Sequence, residues 1–180
     1  MVLLVVLALL ALIIWQYNAV IGLRQLTRNA WADVDVYLKR RAELIPNLVA
    51  AVKGYASHEQ TLLEALAQAR TEALAQQGPS NEKAVAEGAV GSRLAQTLIL
   101  AESYPDLKSS ESFNRLQEEL TDTEKMIASA RQYYNACVRD LNTKIEAFPS
   151  SIVAAMIGAK HESYFELDAA QEREAPRLGG

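Results

Sequence analysis

The chain has two histidines, and they sit in the pairs His58-Glu59 and His161-Glu162. Neither pair has the second histidine four residues on that would put two imidazoles on one helix face, as a zinc peptidase requires. Two His and two Glu could meet across a helical bundle as a di-metal carboxylate centre, but the Glu-x-x-His pairs that such centres use are missing. Both pairs therefore read as solvated or helix-terminal groups, and no metal and no cofactor is expected. The one thiol, Cys137, falls on an apolar heptad row, where cysteine behaves as a small hydrophobe. Catalysis would need a histidine base beside it, and His161 could approach only if the end of the chain folded back that far. A single thiol cannot form an internal disulfide, so it fits a reducing compartment without excluding another. Glu118-Glu119 and Glu124 are acids that helix solvation explains. No enzyme is expected.

These residues hang on a chain whose first stretch, Met1 to Trp15, contains only Met, Val, Leu, Ala, Ile and Trp, with no charge before Arg24. A membrane-spanning helix needs roughly 20 mostly apolar residues. Residues 1–23 supply them, interrupted by only Gln16, Asn18 and Gly22. A cleaved secretory signal would carry a basic start and small residues at the cleavage site. Here Trp15, Gln16 and Tyr17 occupy that place, so a retained anchor is the reading, with Trp15 and Tyr17 near the lipid–water interface. Arg24, Arg28, Lys39, Arg40 and Arg41 follow the span, and the positive-inside tendency places the carboxy-terminal bulk in the cytoplasm. The expected partition is an anchor at 1–23, a helical bundle at 24–168 and a flexible tail at 169–180.

Removing the anchor leaves about 157 residues, enough for one domain. With 22 acidic against 18 basic residues, that domain has no general attraction for nucleic acid. Only 8 Gly and 5 Pro interrupt long stretches of strong helix formers. The fold class is all-α: one amino-terminal transmembrane helix continuing into an antiparallel bundle or coiled coil of long helices.

The seams support this. Phe113, Leu120, Ile127, Tyr134, Leu141 and Phe148 recur at seven-residue spacing, interleaved with Leu116, Ala130, Cys137 and Ile145. A second seam runs through Trp31, Leu38, Ile45, Val52 and Leu66, with Val34, Leu48, Tyr55, Leu62 and Ala69 at the alternate position, and implies one helix from the membrane to about Gln77. Gly78-Pro79-Ser80 breaks it, and a third helix is expected from about Asn81 to Ser103 with Val85, Ala89, Leu94, Leu98 and Ala101 inward. Pro149 closes the heptad helix and opens a short last one, Ser150 to about Ala159.

At 1.5 Å per residue these helices would be roughly 80, 35 and 55 Å long and could not cover one another end to end. Trp31, Val34 and Leu38 would then lack an internal partner, which makes them the candidate interface to another copy or another membrane protein. Pro46 lies inside the first helix, where proline removes a hydrogen bond and frees a backbone carbonyl. It is either a bend that wraps the helix around its neighbours or the candidate hinge between a membrane-proximal stalk and a distal bundle. Lys39 is expected to pair with Asp35 or Glu43, one turn away, rather than with lipid. Tyr134-Asn135, Asn142 and Asn47 are expected to hydrogen-bond across helices and fix register.

Tyr17-Asn18, Trp31-Ala32-Asp33-Val34-Asp35, the block from Leu38 to Val49 with its Ile45-Pro46-Asn47-Leu48-Val49 core, Val52-Lys53-Gly54-Tyr55 and His58-Glu59 resemble the amino-terminal half of the LemA family. Ala69-Arg70, the block from Glu102 to Lys108, Leu116 to Leu120, Ala130-Arg131, Tyr134-Asn135, Asn142 and Phe148-Pro149 resemble its second half, so the likeness covers nearly the whole chain. It implies a bacterial inner-membrane protein held by one helix, with a cytoplasmic helical bundle. It carries over no catalytic residue, substrate or cofactor. The tail departs from the family's hydrophobic finish, since Ala175-Pro176-Arg177-Leu178 ends in Gly179-Gly180.

Three functions compete on these grounds. The first is a non-enzymatic membrane-anchored scaffold that self-associates or docks another envelope protein. The second is an adaptor presenting a peptide-binding groove to a membrane protease, transporter or signalling partner. An enzyme is the third and has the least behind it.

Overall fold

The computed structural model describes residues 1–56 and 58–166, so the expected tail at 169–180 lies outside the described residues. All regular elements among the described residues are helices: α1 (Val2–Lys53), α2 (Gln60–Ala75), α3 (Asn81–Ala101), α4 (Pro105–Lys108), α5 (Glu111–Glu146) and α6 (Ser150–Met156). The all-α expectation holds, with an amino-terminal apolar helix long enough to cross a membrane.

The first seam does not run to Gln77. Helix α1 stops at Lys53, where a basic residue in the last turn is followed by Gly54, and glycine costs a helix about 1 kcal/mol relative to alanine. The amide groups of Tyr55 and Ala56 both turn back to Val52 O, at 3.0 and 2.8 Å. Tyr55, expected inward, is 49% exposed. The signal was present, because continuing the Val52 row by seven residues lands on Glu59 rather than on an apolar side chain.

Packing divides the chain into two compact units, and the division falls inside α1 and α5 rather than at Leu23. One unit holds Met1–Val34 and Ala130–Tyr164. In it α1 and α5 run antiparallel, as three contacts show. The Lys144 ammonium lies 5.3 Å from the Trp15 ring centroid. Val20 packs with Leu141 and Ile145. Trp31 meets Tyr134 edge to face at 5.4 Å. The corner between α5 and α6 is fixed by buried Ser150, whose Oγ lies 2.7 Å from Lys144 O and 2.9 Å from Ala147 O, satisfying carbonyls that the end of α5 leaves open. Gly158, at φ +63°, ends α6 in the left-handed conformation that glycine adopts without strain. The extended residues that follow return along α5.

The other unit holds Asp35–Ser129 and, among the described residues after Tyr164, Phe165 and Glu166. Its core joins Ile45, Leu48 and Val52 of α1, Leu63 and Leu66 of α2, Val90 and Leu94 of α3, Leu107 of α4, and Phe113 and Leu120 of α5. Helices α2 and α3 form a hairpin turned by Gly78 at φ +69° and started by Ser80, whose Oγ accepts the Lys83 N–H at 3.1 Å. The register of α3 differs from expectation. Val85 is 64% exposed and Ala89 is exposed, whereas Lys83, Ala84, Glu87, Val90, Leu94, Thr97 and Ala101 are buried. Two ionisable residues claim inward positions and rotate the apolar row away from the one read by hydrophobicity alone.

Candidate functional site: a buried charge network

Arg41 occupies the position midway between Val34 and Leu48 on a seven-residue row, a place where the seam demands an apolar side chain. The structure buries it all the same, at 1% exposure. Its guanidinium donates from Nη2 to Glu87 Oε2 at 2.5 Å and to Glu87 O at 3.1 Å, and from Nη1 to Glu124 Oε1 at 2.9 Å. Arg41 Nε is buried without a hydrogen-bond partner among the described residues. Gly91 lies beside the guanidinium, and a Cβ there would meet Nη1 at 3.6 Å, an ordinary contact distance.

Glu87 is shared. Its Oε1 lies 3.3 Å from Lys83 Nζ, and that ammonium also points at Ala73 O and Gln76 O, at 3.4 and 3.3 Å. Lys83 thus places a cation against the carbonyls that end α2, where the helix dipole favours positive charge. Two cations and two carboxylates compensate each other across α1, α3 and α5. Removing one partner of such a buried set costs about 3–5 kcal/mol, because the survivor is stranded away from water. The chemistry available is therefore register fixing. No free base or nucleophile stands beside an open cavity in this network.

Pro46 has its own partner. Lacking an N–H, it cannot bond Ala42 O, and the freed carbonyl is taken by Arg70 Nε from α2 at 2.6 Å. Helix α1 continues through Pro46, whose ring faces solvent.

The candidate interface residues are not uncovered. Val34 is 0% and Leu38 2% exposed, and Trp31 is half-buried against Tyr134. The expectation failed because α1 was taken to end near Gln77. With its end at Lys53, the part beyond Leu23 is about 45 Å long, and α5 at about 54 Å is the longer helix.

In the unit that contains the amino terminus, Tyr134 donates to Ser163 O at 2.9 Å. Asn142 pairs both ways with the Glu162 backbone, Nδ2 to O and N–H to Oδ1, each at 3.0 Å. Register is fixed here as expected, but the partner is the returning extended segment rather than a second helix. Burial, and secondarily the Glu162 carboxylate, push the Tyr134 phenol well above its ordinary pKa. Neighbouring Tyr133 is raised as well, first by the Cys137 thiol. Cys137 is buried, and His161 faces Glu146 Oε1 at 3.7 Å. His58 is exposed in the turn before α2. Among the described residues no group of three or more His, Cys, Asp or Glu is placed to hold a metal. Lys39 pairs with Asp35 at 2.7 Å, as its spacing required, and that hydrogen bond, followed by the aspartate's charge, raises its pKa.

An all-helical bundle built on a helix apolar enough to cross a membrane, with its interior charges engaged in packing, defines a membrane-associated helical-bundle protein. The model of the LemA family matches residues 30–179, and the chain belongs to that family. Magnetosome proteins MamQ 2 and MamQ 1 of Paramagnetospirillum magneticum are each 25% identical to it over 186 residues, covering 89% of this chain and 68% of theirs. MamQ of Magnetospirillum gryphiswaldense is 26% identical over 183 residues, covering 88% of this chain and 67% of its own.

Proposed function

We propose that this protein is a non-enzymatic, membrane-anchored helical scaffold that self-associates or docks another envelope protein, with its bundle on the cytoplasmic side of a bacterial inner membrane. The observation that carries the reading is α1 itself. Its residues from Met1 to Trp15 are all exposed, Leu9 at 55% and Trp15 at 63%, and the same unbroken helix then becomes a core strut holding Ile45, Leu48 and Val52. Membrane association in a chain whose interior charges serve packing suits holding and placing better than turnover. The relatives it matches are named as magnetosome proteins, which is compatible with a membrane-associated, non-enzymatic role. Since Val34 and Leu38 are internal, a protein contact would use outward apolar positions such as Val36 on α1 and Val85 and Ile99 on α3. A hinge at Pro46 belongs to the same proposal and requires the Arg70 bond to open. Crosslinking of the full chain in native membranes tests it: adducts of uniform size that Val85→Asp with Ile99→Asp abolishes are expected, and unchanged adducts refute those contacts.

The adaptor reading keeps one observation, a notch of about 110 Å³ lined by Val49, Lys53, Leu63, Glu64 and Ala67. It has room for a side chain or two rather than for a helix. Stoichiometric co-purification of a second protein, lost on Leu63→Lys, would favour this reading.

A further inference from the structure

Helix α6 turns Ile152, 56% exposed, and Met156, 75% exposed, outward four residues apart on one stripe, away from the buried Val153 and Ala154. Phe148, at the corner just before α6, is 83% exposed and adds a third large apolar side chain at the start of that stripe. What lies beside this stripe is the apolar run of α1. Ala154, with Ile157 and Ala159, packs in one cluster with Val20 and Leu23, all upstream of the first charge at Arg24. Because α5 runs antiparallel to α1, with Tyr134 at Trp31, Ile145 near Val20 and the Lys144 ammonium over the Trp15 ring, the chain reaches Phe148 at about the level of Trp15. Trp15 is the aromatic residue that suits the lipid–water boundary there.

We infer that α6 is a second membrane contact, an interfacial element whose Phe148–Ile152–Met156 stripe is seated in the headgroup and acyl boundary of the same bilayer that takes the amino-terminal helix. The inference rests on the anchoring reading and goes beyond it. A lone spanning helix is free to swivel and tilt, whereas a second contact on α6 fixes which face of the unit that holds α6 looks along the membrane. Charges around the stripe come in both signs, Arg139, Lys144 and Lys160 against Asp140, Glu146 and Glu162, so seating depends on apolar insertion and not on anionic lipid.

The test is depth. The full chain, carrying Cys137→Ala, is given a single nitroxide at Phe148→Cys, Ile152→Cys or Met156→Cys and reconstituted in phosphatidylcholine vesicles. Leu10→Cys serves as a reference within the span and Thr71→Cys, at an exposed position on α2, as one in water, and thermal melts confirm that each variant is folded. Collision with oxygen is compared with collision with a water-soluble nickel chelate. The stripe labels are expected to report oxygen-rich surroundings about 5–10 Å below the headgroup surface, unchanged by added salt or by phosphatidylglycerol. Stripe labels as open to nickel as the label at position 71 while Leu10 stays in lipid overturn the α6 contact and leave the anchor standing. Labels shielded from both reagents and broadened by spin–spin coupling overturn it in favour of a second copy. Leu10 itself in water overturns the anchor, and the α6 contact with it.

Discussion

Replacing Arg70 isolates a bond that the structure makes because of a proline. Ala42 O has no helical donor, since residue 46 is proline, and Arg70 Nε supplies one at 2.6 Å. Arg70→Met keeps most of the side chain's bulk and removes the donor, at a cost of about 1.5–3 kcal/mol for a hydrogen bond from a charged group. In a chain of this length that lowers Tm by on the order of 5 °C. In a Pro46→Ala background the new amide at residue 46 reaches Ala42 O by itself, so losing Arg70 should cost less than about 1 kcal/mol. Pro46→Ala alone should stabilise, because proline in a helix interior costs about 3 kcal/mol. The assay is thermal melting of the full chain in mild detergent for the four members of the cycle, with a coupling of about 1–2 kcal/mol expected between the two sites. Equal losses on Arg70→Met in both backgrounds would refute the claim that arginine answers the proline. The same variants bear on the hinge: assembly preserved in Pro46→Ala with raised stability would remove bending at Pro46 from the proposed function.

Arg41→Met leaves the buried Glu87 carboxylate with Lys83 alone and should cost up to about 3–5 kcal/mol, read as a fall in Tm, whereas Arg41→Met with Lys83→Met and Glu87→Leu should recover most of it; failure to recover would mean that the charges do more than satisfy one another. The α3 register predicts that Val85→Asp changes stability by no more than about 0.5 kcal/mol and that Leu94→Ala costs about 2–5 kcal/mol, and proteolysis of the two variants separates them. Tyr134 gives an alkaline signature: its phenol is raised in the folded chain, so the unfolded chain loses that proton first, and the contribution is complete below pH about 10 and lost as pH rises past it. Tyr134→Phe should cost about 1 kcal/mol at neutral pH through the lost bond to Ser163 O and should show a shallower fall in Tm in alkali; an identical alkaline slope would dismiss the assignment.

Helix type and the heptad row of α5 were legible because Phe113, Leu120, Ile127, Tyr134 and Leu141 all serve one buried face, and apolar periodicity reports that directly. The row failed at Phe148 because the corner closed by Pro149 and Ser150 ends α5 first, leaving that ring outside. Reading apolar residues alone also passed over Arg41, the missing member between Val34 and Leu48; on α3 it placed Leu94, Leu98 and Ala101 rightly against the core but turned Val85 and Ala89 inward where Lys83 and Glu87 are buried instead. Buried charge is invisible to a hydrophobicity count and visible only as an interruption of the row. Proline at 46 signalled a free carbonyl, yet nothing in the sequence said that Arg70, 28 residues from Ala42, would take it. The interface at Trp31, Val34 and Leu38 fell with the helix boundary at Lys53, since the shorter helix leaves Val34 and Leu38 covered and Trp31 half-covered.

The central claim is an assembly held by a membrane helix, and the native mass of the full chain in mild detergent, set beside a version beginning at Arg24, tests it most directly. The account predicts one uniform species of several copies, or of this chain with a fixed partner, that requires the apolar helix. A monomer in both forms would contradict it.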